Sequence, residues 1–197
     1  MKLFSRPLGA YQTNCYLLWD EADACAIVDP GYDEPALDEL LAMSPAEPQL
    51  LFLTHAHFDH VGGVQKLLRL GAKLYVHPLE ETLPQALAPL DFSAPYCPLS
   101  DGLEIPFGED LITVYHTPGH TPGSCCFGIR ELLFSGDTLF AGSCGRTDLG
   151  GSETDMLRSL ARLGRLNGEK TVLPGHGGHS TLTRERRSNP WMREALA

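Results

Sequence analysis

Missing from this sequence is any apolar run of membrane-spanning length. Its start, MKLFSRPLGAYQTN, carries a basic Lys2 but no long hydrophobic stretch, so neither a signal peptide nor a membrane anchor is expected. Basic charge is also short: 15 Lys and Arg stand against 25 Asp and Glu, a formal net charge of -10. That balance argues against nucleic acid or an anionic membrane surface as a partner, and a small-molecule substrate fits better. The six cysteines, at 15, 25, 97, 125, 126 and 144, form no CxxC pair and no zinc-ribbon spacing. A chain of this size needs no disulfide staples, so the thiols are expected to be reduced and the protein cytoplasmic. No repeat, low-complexity segment or linker divides the chain. With 43% apolar residues it can bury a continuous core, and one domain over residues 1–197 is expected.

What is present is an alternation of strand-like and helix-like patterns. Short β-prone runs at 14–19, 24–28, 50–53, 73–76, 111–115 and 124–129 are interleaved with helical patterns at 34–43, 60–70 and 153–163. Asp33 and Ser152 stand where N-caps belong, the latter followed three residues on by Asp155. Such a mixture implies a layered α/β fold. Residues 84–98, PQALAPLDFSAPYCP, hold four prolines and read as a surface excursion.

The chemistry concentrates after strand ends, where sites usually lie. An apolar strand runs into Thr54-His55-Ala56-His57-Phe58-Asp59-His60, so four of the ten residues 51–60 are potential metal ligands. Solvated loop histidines are the bland alternative, but this density is far above the protein's His content. Imidazole and carboxylate donors suit zinc, iron or manganese, and the lack of thiolates favours a catalytic over a structural site. In an extended loop His55 and His57 point to one side, while Asp59 and His60 can turn toward a second centre. Three further segments supply what a pair of ions would still lack. His120 is flanked by Pro and Gly in TPGHTPG, Asp137 follows an apolar strand in LFSGDT, and His176 follows another in VLPGHG. Each alone is a weak signal, since a lone His120 is more often structural and Asp137 an ordinary turn aspartate; their shared placement after strands makes the set.

These motifs, THAHFDH at 54–60, TPGHTPG at 117–123, SGDTLF at 135–140 and PGH at 174–176, resemble those of the metallo-β-lactamase superfamily. Within it they are similar to the glyoxalase II group of hydroxyacylglutathione hydrolases, over nearly the whole chain. The resemblance implies a four-layer αββα sandwich with two metal ions at one edge. It assigns His55, His57 and His120 to the first ion, Asp59, His60 and His176 to the second, and Asp137 to both. Two zinc ions are the expected cofactor, with iron or manganese also suited. The implied reaction is hydrolysis of a lactoylglutathione-type thioester by a metal-bound hydroxide, with Asp59 orienting the nucleophile.

Substrate recognition is where the chain departs from the longer glyoxalase II enzymes. It ends 21 residues after His176, without their C-terminal helical segment, and so looks like the short bacterial type. Arg146 falls where those enzymes place a lysine that binds a glutathione carboxylate; a loop arginine paired with Asp148 is the equal alternative. Asp148 and Gly178 stand where the longer enzymes carry glutathione-binding tyrosines. The rival activity is that of persulfide dioxygenases, which share the fold and a GRTD segment like 145–148, and use one iron held by two histidines and a carboxylate. A nuclease or non-catalytic metal-binding role is the more distant alternative, since nucleases of this family usually carry extra domains and basic grooves.

Overall fold

The computed structural model describes residues 1–21 and 23–197. Two six-stranded sheets form its centre. The first runs in spatial order through β1 (Lys2–Leu8), β2 (Thr13–Trp19), β3 (Cys25–Val28), β4 (Leu50–Phe52), β5 (Lys73–Val76) and β6 (Cys97–Pro98). β1 to β3 are antiparallel neighbours, whereas β3 to β6 are parallel and therefore need crossovers. The second sheet is ordered β12 (Ser180–Thr181), β11 (Thr171–Pro174), β10 (Leu132–Gly136), β9 (Cys125–Ile129), β8 (Asp110–His116) and β7 (Glu104–Phe107). Only its β10–β11 pair is parallel. The helices are α1 (Glu34–Leu41), α2 (Val64–Arg69), α3 (Glu153–Gly164), α4 (Leu182–Ser188) and α5 (Pro190–Leu196).

The period-two geometry of the strands sorts their side chains into three apolar layers. Tyr16, Leu18, Ala26, Val28 and Phe52 of the first sheet meet Ile112, Val114, Phe127, Phe134 and Leu173 of the second. The intervening Leu17, Ile27 and Leu51 face the opposite way, onto Leu37 and Leu40 of α1 and Val64 and Leu67 of α2. On the far side Cys126, Leu133 and Val172 face Met156, Leu160 and Leu163 of α3, with Leu182 and Met192. Helices thus cover both outer faces, and the expected αββα sandwich is what forms. Because central strands are buried on both faces, they read as nearly continuous apolar runs rather than alternating ones.

Both expected caps form: Asp33 accepts from Ala36 N at 3.2 Å and Ser152 from Asp155 N at 3.3 Å. Two expectations need correction. The helix placed at 60–70 begins only at Val64, because His57 O takes the His60 N–H and Pro30 O takes the Gly63 N–H, at 2.7 Å for the latter. The proline-rich stretch 84–98 is more than a surface excursion: Ala88 and Leu90 are buried in the outer layer, and Cys97–Pro98 pairs with β5 as an edge strand. All six cysteines are free, and among the described residues no helix is long and apolar enough to cross a membrane.

Candidate metal centre

Both sheets deliver side chains to one edge. β4 of the first sheet ends at Phe52, and the loop after it carries His55, His57, Asp59 and His60. From the second sheet come His120 in the turn between β8 and β9, Asp137 directly after β10, and His176 after β11. Backbone bonds join the two edges: Cys125 N donates to Thr54 O at 2.8 Å and Asn14 N to Gly175 O at 2.7 Å. All seven side chains singled out from the sequence as ligands therefore meet in one place.

Their spacing forms three overlapping groups, one of which, His55, His60 and Asp137, links the other two. His55, His57 and His120 form one group, and Asp59, His60 and His176 another, each with ligand atoms within 4.8 Å of one another. His57 Nδ1 lies 2.8 Å from His120 Nε2, and His60 Nε2 lies 3.4 Å from His176 Nε2. Asp137 stands between them, with Oδ1 3.5 Å from His60 Nε2 and Oδ2 3.6 Å from His120 Nε2. Asp59 Oδ2 is 3.2 Å from His176 Nε2 and accepts a hydrogen bond from the Thr13 hydroxyl at 3.1 Å.

The donor set fits cations. His55 Nε2 and Asp137 Oδ1 are buried without a hydrogen-bond partner, an arrangement that costs free energy unless an ion takes the lone pairs. The opposite nitrogens are anchored, which fixes ring orientation. His55 Nδ1 meets Thr54 Oγ1 at 3.1 Å, His120 Nδ1 meets Arg146 O at 2.7 Å, and His176 Nδ1 meets Tyr11 O at 3.1 Å. Burial and the neighbouring His57 push His120 down to about 3, and burial with the other histidines pushes His55 down as well, which favours the neutral ring, the form that can bind a cation. Burial pulls His60 the same way, but Asp29 and Asp137 overcome it and raise the ring to about 9. Burial pushes Asp137 up to about 6 against the pull of His60 and His176. The cluster is compatible with a dinuclear metal site.

Close approach demands a glycine at 175. A Cβ there would collide with Asp137 Oδ1 and lie 2.8 Å from His60 Cε1.

Two buried acids that the sequence did not single out hold this loop. Asp29, at the end of β3 with a positive φ of 52°, accepts from Thr54 N at 2.8 Å and Thr54 Oγ1 at 2.6 Å. Its Oδ2 is also 3.0 Å from His60 Nδ1. Glu80, fully buried, accepts from Ala56 N at 2.6 Å, Thr121 Oγ1 at 2.6 Å and Gly123 N at 2.8 Å. It ties the loop bearing His55 and His57 to the turn bearing His120. For Asp29 the signal available was an acid directly after an apolar strand, the same placement as Asp137.

Arg146 is exposed and held by Asp148, with Nε to Oδ1 at 2.6 Å and a second bond at 2.5 Å. His77 and His116 stack on one another, rings 4.2 Å apart, and His179 lies exposed against Tyr16.

The chain is similar in sequence and fold to several known proteins. A hydroxyacylglutathione hydrolase of Haemophilus influenzae is 34% identical, covering 94% of this chain and 95% of the relative. The solved structure of TTHA1623 in a di-iron-bound form is 39% identical, with a TM-score of 0.84 over 95% of this chain and 99% of that one. The structure of the BLEG-1 B3 metallo-beta-lactamase is 34% identical, with a TM-score of 0.85 over 97% and 99%. The family model of the metallo-beta-lactamase superfamily matches residues 8–176. The chain belongs to that superfamily.

Proposed function

We propose that the protein is a dinuclear metal-dependent hydrolase of thioesters of the hydroxyacylglutathione type. The observation that carries this reading is the pair of donor groups with Asp137 between them. The similarity to the H. influenzae hydroxyacylglutathione hydrolase supports the choice of substrate. His55, His57 and His120 would hold one ion, Asp59, His60 and His176 the other, and Asp137 both. Zinc suits this nitrogen and oxygen set; iron and manganese are also accommodated by it. When bound, the ions supply Lewis acidity and a nucleophile derived from water near neutral pH.

The chain's own part is to place and orient. Asp59 remains a carboxylate: burial pushes its pKa up, but the hydrogen bond from His176 and the charge of His60 hold it well below the usual carboxylate range. Thr13 donates to its Oδ2, leaving the group positioned to accept a hydrogen bond from an attacking hydroxyl. A thiolate leaving group is weakly basic, so no strong general acid is required beside it. Arg146 is the candidate contact for a carboxylate on the thiol portion, provided Asp148 releases it.

The test is a lactoylglutathione assay on zinc-loaded protein under nitrogen and in air. Equal rates are expected, and Asp59→Ala should lower kcat/KM by about 100-fold or more. Negligible turnover with zinc, together with oxygen consumption by the iron form given glutathione persulfide, would replace this reading with a dioxygenase.

A further inference from the structure

Beside the metal centre, on the Asp59 side, a groove of about 470 Å³ opens between the β1–β2 turn, the β3–α1 loop and the loop after β4. Its walls include Leu8, Tyr11, Tyr32, Phe58, Val61 and Pro89; Asp59 is its only charged residue, and no Lys, Arg or His lines it. Tyr11, Tyr32 and Phe58 are 63%, 78% and 38% exposed, so three aromatic side chains from three segments line this space while remaining open to solvent. Tyr11 meets Phe58 edge-on with centroids 5.0 Å apart, which fixes both rings at the rim. The groove is continuous with the centre in two ways. Asp59 belongs to both, and the backbone carbonyl of Tyr11 anchors His176 Nδ1 at 3.1 Å.

We propose that this groove binds the apolar acyl portion of the substrate, a chain of several carbons or an aryl group, with its carboxyl carbon directed to the metal centre. With no Lys, Arg or His in its lining and the Asp59 carboxyl at its edge, the groove offers no partner to a second carboxylate or a phosphate. The volume falls in the range of about 300–1,000 Å³ typical of small-molecule pockets, and its apolar lining gives acyl hydrocarbon beyond the carbons of a small hydroxyacyl group a place to bind. The identification of the occupant as an acyl group rests on the thioester reading above; binding of the hydrocarbon does not depend on turnover.

The experiment is therefore a binding series. Acetate, butyrate, hexanoate and octanoate, which correspond to the acyl products, are titrated calorimetrically into zinc-loaded protein. Each buried methylene should tighten Kd by about three- to fourfold, so butyrate to hexanoate should gain about tenfold. The double variant Tyr11→Ala, Tyr32→Ala removes two exposed side chains, which leaves the core untouched, and should cut that gain to about threefold or less. A flat series in the unaltered protein overturns the proposal, and so does a slope that the double variant retains in full. A full slope without hydrolysis of any acyl thioester would sink the thioester reading and leave the groove standing. Thioester hydrolysis with a flat series would do the reverse.

Discussion

Arg146 and Asp148 illustrate how a single contact decides between two roles. The guanidinium makes two short bonds to its neighbour's carboxylate, yet both side chains are more than half exposed, so the pair contributes little to stability. Its geometry is the bidentate fork with which arginine also takes a carboxylate ligand, and Asp148 would compete with such a ligand for it. If the thiol portion carries a carboxylate, Arg146→Ala should raise KM more than it lowers kcat, because a contact remote from the reacting bond is uniform binding. Asp148→Ala should do the opposite and lower KM by freeing the guanidinium. Steady-state kinetics with glutathione thioesters, and with thioesters whose thiol lacks carboxylates, measures both; variants that behave alike on the two substrates would remove Arg146 from recognition. At this scale the site was legible where residue type itself is informative. His55, His57, Asp59, His60, His120, Asp137 and His176 all converge, because His and Asp placed after strand ends have few bland explanations. Glu80 was not legible. It stands in PLEET beside Glu81, and only long-range packing makes one of the two buried and triply hydrogen-bonded.

Among elements, those whose pattern is local were read closely and those defined by a distant partner were not. β5 occupies 73–76 as expected, and α3 starts at Glu153 behind its Ser152 cap. β1 was not read: its half-exposed, proline-containing sequence acquires strand geometry through the seven-residue register with β2. The short α4 and α5 were also missed, although Asn189 followed by Pro190 is a cap with proline in the first turn. The 3-10 turn Pro78–Thr82 carries Glu80 into place, and its own cap is His77, whose Nδ1 accepts from Leu79 N at 3.2 Å. Burial, then the charge of the stacked His116, push His77 down to about 4. In the unfolded chain the ring takes up a proton at about 6.5, so between these two values acid favours the unfolded state. The stabilising contribution is therefore complete above about pH 6.5 and is lost as pH falls toward 4. His77→Asn keeps an acceptor for Leu79 N without the titration, and the fall in stability between pH 7 and pH 5 should be shallower in this variant. Denaturant unfolding at several pH values measures it; an unchanged slope would show that His77 does not couple to folding.

Across the whole molecule the donors are divided between two sheets that meet through apolar packing and, at the edge carrying the donors, through a few hydrogen bonds. The loop after β4 belongs to the first sheet, and the residues after β8, β10 and β11 belong to the second. Ions held between them would bridge the layers, and any ligand that binds only the folded state raises stability by mass action. At about 100 times its Kd one ion contributes about 2.7 kcal/mol, which for a chain of this size corresponds to a rise in Tm of about 5–10 °C. Chelation should reverse that rise, and zinc should restore it. The division of donors also sets the stoichiometry. Metal analysis of the purified, zinc-supplied protein should find about two ions per chain. Asp137→Ala, which removes the carboxylate standing between the groups, should weaken both sites, whereas His176→Ala should empty mainly the one it shares with Asp59 and His60. Saturation at one ion in the unaltered protein would overturn the dinuclear arrangement. Loss of both ions in His176→Ala would show instead that the two groups bind as a single cooperative unit, with Asp137 transmitting the change from one to the other.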